Sequence, residues 1–275
     1  MVTTGIPGGI PAGTEADTLT FRYNDLAGVE RLFEEHRGEI ACVILEPART
    51  DEPSDNFLQR LKALSHRHGA LLVFDETISG FRWAIAGGQE VYDIAPDLAI
   101  FGKALGNGFS ISALTGKREV MELGGLHHDR ERVFLLSTTH GAETHSLAAA
   151  KAVIDIYRSE DVIGTLYRQG ERLASGVRQA VTALGIDNAF TLAGRPCALL
   201  YGTRDAEGKP SQEFRTLFLQ ELIKRGVLAP SFIVSYSHTD EDIDRTIDAV
   251  AGALEVYRRA LDVGVERFLV GPAVK

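Results

Sequence analysis

The sequence predicts an α/β protein in which a mostly parallel sheet forms a large domain over residues 1–165 and a smaller α+β domain fills residues 166–275. Three observations lead to this reading. Short continuous apolar runs recur (ACVIL, LLVF, LAIF), as in strands buried on both faces. Segments with helical apolar spacing alternate with these runs, as parallel βαβ units in a doubly wound sheet require. Beyond residue 144 the alternation gives way to long helical patterns, which places the boundary of a second unit somewhere between residues 161 and 185.

The opening MVTTGIPGGIPAGTEADT is rich in Gly, Pro and Thr and predicts irregular chain. YNDLAGVERLFEEHRG has an Asn/Asp start, helical spacing and a closing glycine, so it predicts a helix. IACVILEP then predicts a buried strand, DNFLQRLKALSHRHG a helix and ALLVFDE a second strand. After a looped section, DLAIFGK predicts a third. HSLAAAKAVIDIYRSE and LYRQGERLASGVRQAVTALG predict two helices, the GERLASGVRQAV stripe of the second facing the core. The tail predicts a strand at CALLYG, a helix at EFRTLFLQELIKRG, a short strand at FIVSYS and a final helix at DEDIDRTIDAVAGALEVYRRAL.

Composition narrows the function classes. An apolar fraction of 44% and a charged fraction of 24% over 275 residues are those of a globular protein with a sizeable core. A formal net charge of -9 argues against nucleic acid or an anionic membrane as partner. Cys42 and Cys197 lie in apolar runs without metal-ligand spacing. They are expected to be buried small hydrophobes in a reducing compartment. With no signal-like segment and no bilayer-length apolar run, the expectation is a cytoplasmic protein.

The chemistry is positional. Each buried strand ends in an ionisable residue: Glu46 after ACVIL, Asp75 and Glu76 after LLVF, Lys103 after LAIFG. Ligands of open parallel sheets bind beyond the carboxyl ends of the strands, so these groups converge on one rim. Each taken singly reads more simply as a charged residue turning a strand into solvent; the three together, with glycines around Lys103, favour a site. The glycines around Lys103 do not form a phosphate-binding P-loop, which needs its glycines before the lysine and Ser or Thr after it. They instead leave room for a planar ligand near a nucleophilic amine. An aspartate one βαβ unit upstream is what a pyridinium nitrogen requires in order to stay protonated.

LLVFDETISGFR, PDLAIFGKALGNG and STTHGAETHSLAAA, in that order and spacing, resemble the class III aminotransferases of pyridoxal 5′-phosphate (PLP) fold type I, in particular their glutamate-1-semialdehyde aminomutase-like branch. The likeness runs from about Thr18 to the C-terminus. It implies PLP as cofactor, small amino donors and acceptors as substrates, and a homodimer with shared active sites. It also implies roles for particular residues. Lys103 would carry the internal aldimine and shuttle the proton, and Asp75 would pair with the pyridine nitrogen. Glu46 and Glu76 would fix the site's hydrogen bonds, and Thr139 would reach the cofactor phosphate of the neighbouring subunit. Ile78 completes the implied cofactor-binding set. The branched apolar residue that often follows the Asp-Glu pair is here Thr77.

SFIVSYSHTDEDID is shorter than the matching aminomutase segment and lacks its Glu-Ala-Gly stretch, which favours a plain aminotransferase over a 2,1-aminomutase. The resemblance also places a phosphate-holding helix N-terminus and a ring-stacking aromatic upstream of Met1. The expectation is therefore a chain that draws on a further polypeptide segment, or a non-catalytic or split-enzyme subunit of the same fold. Other signals are set aside. The histidines of HGAETH match no zinc motif, and His127-His128-Asp129 reads as an exposed loop. Phe81 and Trp83 read as core caps. Arg82 and Arg195 remain open as groups for a substrate pocket or its carboxylate.

Overall fold

The computed structural model describes residues 8–49, 51–131, 141 and 143–274. The chain forms two compact units, Met1–Ser159 and Glu160–Lys275.

In the first unit the Gly/Pro-rich opening contains one short helix, α1 (Ala12–Ala16), which buries no residue. Helix α2 (Leu26–Glu35) starts where the Asp25 carboxylate accepts the Gly28 N–H, and it buries Val29 and Phe33, one turn apart. Strand β1 (Cys42–Leu45) follows. Helix α3 (Phe57–Arg67) buries Phe57, Leu58, Leu61 and Leu64 along one stripe. Strands β2 (Leu71–Asp75) and β3 (Leu98–Phe101) continue a parallel ladder in the order β1-β2-β3. A short helix α4 (Gly88–Val91) lies in the connection between them.

Strand β4 (Ala113–Gly116), which the sequence reading did not foresee, pairs antiparallel with β3. ALTG is short and largely exposed, so it carries no hydrophobic signature. The ladder with β3 makes it a strand. Helices α5 (Arg118–Met121) and α6 (Thr144–Ser159) complete the unit. Leu72 and Phe74 pack with Leu58, Leu61 and Phe33 under α2 and α3, whereas Phe81, Leu105, Ala150 and Val153 join Phe101 to α6.

Among the described residues β1 is an outer strand of the sheet. Cys42, expected to be buried, is therefore exposed, while Cys197 is buried as expected.

The second unit begins with α7 (Val162–Ala183), N-capped by Asp161 through Gly164 N–H. This helix runs without a break through residues 165 and 166, so the division falls ahead of it, after Ser159. β5 (Phe190–Ala193) and β6 (Leu200–Thr203) form an antiparallel pair, followed by α8 (Gln212–Lys224) and α9 (Asp240–Val263). The expected strand FIVSYS makes a single bridge, Phe232 with Leu199. The chain then turns where Ser235 N–H donates to the His238 ring. Thr239 and Asp242 form a capping box at the start of α9. Tyr257 is fully buried, and its hydroxyl donates to the Arg204 carbonyl at 2.7 Å. Among the described residues no helix is long and apolar enough to cross a membrane.

The amino end of the first unit's sheet is tied by one buried carboxylate. Asp97 is 0% exposed, accepts Leu72 N–H at 2.7 Å and the His66 ring at 2.8 Å, and forms an ion pair with Lys117 Nζ at 2.6 Å. It thus joins the starts of β2 and β3 to α3 and to the residue just after β4. Burial alone would raise this carboxyl, but the bonds from Lys117, Leu72 and His66 outweigh it and hold its pKa at about 2. A folded pKa below the unfolded value of roughly 3.9 stabilises the fold above that pH, and the gain is lost as pH falls toward 2. We expect Asp97→Asn to lower urea-unfolding stability at pH 7 by roughly 1–2 kcal/mol, after allowance for its partly exposed partners. The gap to wild type should close between about pH 4 and pH 2. A gap that stays constant across that range would show that the charge contributes nothing.

Candidate active site

The parallel register decides which side chains meet. Leu45 stands opposite Phe74, and Asp75 opposite Ile100, so β1, β2 and β3 end at one level. Glu46 follows β1 directly, Asp75 closes β2, and Lys103 comes two residues after β3. The three groups share one electrostatic neighbourhood. The Glu46 carboxyl is raised chiefly by burial and also by Asp75, while Arg49, 3.3 Å away, and Lys103 draw it down.

Asp75 is half-buried, and its Oδ1 accepts Thr77 N–H at 3.0 Å, an Asx-type turn that fixes the carboxylate as the chain leaves the strand. Lys103 is exposed and opens a 3-10 turn, Lys103–Leu105, with φ at +43°. Left-handed backbone costs an L-residue roughly 1–2 kcal/mol, and such strain concentrates at functional sites. Here it accompanies the sharp turn by which the lysine leaves the strand at the rim. Among the described residues neither the Lys103 amine nor Asp75 Oδ2 has a hydrogen-bond or ion-pair partner.

The strand alternation sends the next residue elsewhere. Glu76, placed beside Asp75 in the expected cofactor-binding set, is 0% exposed. Its Oε2 accepts the Ser79 hydroxyl and Gly88 N–H, and its Oε1 accepts Gln89 N–H. Burial raises this carboxyl above its ordinary range despite those three donors. Glu76 therefore engages the loop that follows β2. Ile78 lies on that loop and is exposed. Phe81 and Trp83 are buried, Phe81 edge-on to Phe101 and Tyr157, and Trp83 edge-on to Tyr92. Thr139 and His140 lie outside the described residues. Sequence reasoning missed the fastening of this loop through Ser79, Gly87 and Gly88, although the adjacent glycines were a signal. It also missed Tyr157, whose hydroxyl donates to the Phe81 carbonyl.

A planar pyridine carrying an aldehyde needs an amine, a carboxylate for the ring nitrogen and room beside the backbone. The rim supplies all three. Lys103 and Asp75 have unengaged polar atoms on adjacent strand ends. Gly102 is bare where a Cβ would lie 3.2 Å from the Thr77 methyl. The residues present thus fit the ring and aldehyde of PLP.

The aminotransferase class-III family pattern matches residues 10–253. The chain is 34% identical over 265 residues to glutamate-1-semialdehyde 2,1-aminomutase of Acetivibrio thermocellus, covering 91% of this chain and 60% of that protein. It is 29% identical over 265 residues to 3-aminobutyryl-CoA aminotransferase of Cloacimonas acidaminovorans, covering 93% and 62%. Among solved structures, the FumI protein of Sphingopyxis sp. MTA144 in its PLP internal aldimine form superposes with a TM-score of 0.81 at 25% identity, over 93% of this chain and 61% of that one. The chain thus spans about three-fifths of the length of the relatives it matches. The mostly parallel sheet bearing Asp75 and Lys103 has the architecture of PLP fold type I. With the pattern covering most of its length, the chain belongs to the class III aminotransferase family, whose cofactor is PLP.

Proposed function

We propose that this chain carries the catalytic lysine and the ring-nitrogen carboxylate of a PLP-dependent aminotransferase acting on a small amino or keto substrate. The observation that carries the reading is the pairing of Lys103 and Asp75 on adjacent parallel strand ends, both with unengaged polar atoms. When bound, the cofactor supplies an electron sink for charge developing at the substrate's α-carbon. Asp75 holds a proton on the ring nitrogen by presenting a carboxylate fixed through Thr77 N–H. Lys103 holds the aldehyde end and moves a proton at its Nζ. Glu46, half-buried and poised by Asp75 and Lys103, tunes the charge balance of the rim. Ile78 stands near enough along the chain to border the ring, and Thr139 is assigned to the cofactor phosphate of a neighbouring copy in a homodimer.

The relatives named as aminomutases support a second reading, in which the amine returns to a neighbouring carbon of the same substrate. The shorter segment after Ser231, without the Glu-Ala-Gly stretch, weighs toward intermolecular transfer. Among the described residues β1 pairs with β2 alone, so its outer backbone edge is open to a further strand. We assign that edge to a polypeptide segment corresponding to part of the relatives' additional length. Assayed with a panel of amino donors, the chain completed by such a segment should release a keto product and leave the cofactor in its amine form. Return of an isomerised amine with no keto product would establish the aminomutase reading instead.

Borohydride reduction in the presence of PLP should leave the pyridoxyl group on the Lys103 peptide. Lys103→Ala should lose that label with an unchanged far-ultraviolet circular dichroism spectrum. A label recovered on another lysine would remove the assignment.

Asp75→Asn keeps the shape of the side chain but not its charge. Losing one partner of a buried charged pair costs on the order of 2–5 kcal/mol, and about 1.4 kcal/mol is one decade. Half-transamination should therefore slow by at least about tenfold, with a changed visible spectrum of the bound cofactor. Unaltered rate and spectrum would exclude Asp75 from the ring nitrogen.

A further inference from the structure

The loop from Thr77 to Gly87 leaves the end of β2 and returns to it through one side chain. Glu76 N–H donates to the Ile100 carbonyl on β3, and the Glu76 carbonyl accepts Gly80 N–H. The carboxylate then reaches the far end of the loop, where Gly88 N–H donates at 2.7 Å and Gln89 N–H at 2.8 Å, while the Ser79 hydroxyl binds the same group from the near side. A carboxylate is acceptor-only, so it alone can take all three donors without presenting one of its own.

Two glycines make this approach possible. A Cβ at Gly87, whose φ is +78°, would fall 2.2 Å from Glu76 Oε2, and one at Gly88 would fall 2.5 Å from Pro47 Cβ. The loop is therefore drawn against the residue that follows Glu46 as well as against β2. At its other end it touches the lysine's own strand, because the Thr77 methyl faces Gly102. Ile78, the next residue, stays exposed beside that contact. The loop and Glu76 thus meet residues at or next to the ends of all three parallel strands.

We propose that Glu76 is a positioning residue, whose buried carboxylate fastens both ends of the 77–87 loop and so fixes Thr77 and Ile78 beside the Asp75–Lys103 rim. This role rests on the reading of that rim as the PLP site.

The test compares the wild-type chain with Glu76→Gln, each completed by the segment assigned to the β1 edge, and uses Asp97→Asn in the same form as a variant that loosens the same sheet from its opposite end. Amide hydrogen exchange and PLP titration followed by absorbance are measured on all three. Glutamine keeps the size of the side chain but turns an NH2 toward at least one N–H donor. Exchange across residues 77–89 should then rise by about tenfold, the equivalent of one lost charge-assisted hydrogen bond, while residues 57–74 stay at the wild-type rate. The same variant should bind PLP more weakly or with a shifted spectrum, and Asp97→Asn should leave that spectrum as in wild type. The proposal is overturned if exchange in 77–89 is unchanged, or rises equally throughout the unit. It is overturned too if the loop loosens while PLP binds with wild-type affinity and spectrum, or if Asp97→Asn disturbs the cofactor as much. Failure of the wild-type chain, completed by the segment assigned to the β1 edge, to take up PLP would overturn the reading of the rim, and this role with it. A loss confined to Glu76→Gln is the result that supports the proposal.

Discussion

The parallel ladder between β2 and β3 sets where the candidate site's side chains stand in the first unit. Val73 pairs with Leu98, and Asp75 with Ile100, so the two strands finish together and their next residues share a rim. Side chains alternate along a strand, and a slip of one residue would carry Asp75 to the other face. Register is held because Leu72 and Phe74 are buried under α2 and α3, which leaves Asp75 the opposite orientation. The chemistry of the rim is thus a by-product of which leucines and phenylalanines the sheet must hide.

Two buried carboxylates bracket this sheet, and they show how partner charge decides the state of a group. Asp97, at the amino end, has a lysine and a histidine among its donors and is held well below its ordinary range. Glu76, at the carboxyl end, has only neutral donors, and burial raises it. The first ties strands and helix into a rigid base. The second organises a loop, at the end of the sheet where ligands of this architecture bind. Left-handed backbone occurs in the segments that follow β2 and β3, with Phe81 at +58°, Lys103 at +43° and Asn107 at +44°. Packing makes up for part of this strain, since Phe81 lies between Phe101 and Tyr157 and Leu105 is buried.

Much of the architecture was legible in the sequence because burial writes itself as composition. ACVIL, LLVF and LAIF are apolar without interruption, as strands covered on both faces must be, and the helices α2, α3, α7, α8 and α9 carry their apolar stripes in view. The positions of Asp75 and Lys103 at strand ends followed from the same runs. β4 and β5 were not legible, since ALTG and FTLA owe their extension to the partners they pair with. FIVSYS misled in the other direction, because an apolar run becomes a strand only where a neighbour is present to receive its hydrogen bonds.

By itself, then, the sequence determined the order of the three parallel strands and of the long helices, the family motifs, and with them the lysine and aspartate proposed for the site. These depend on local apolar periodicity and on residue types adjacent in the chain. Tertiary structure decided the exposure of Cys42, which follows from β1 lying at the sheet's edge among the described residues. It also decided the separation of Asp75 from Glu76, neighbours in sequence that face different surroundings. The fastening of Glu76 to Gly88 and Gln89, and of Asp97 to His66 and Lys117, joins residues 12 to 31 positions apart. Such contacts arise only once the sheet has brought its two ends into register, and no local pattern in the chain encodes them.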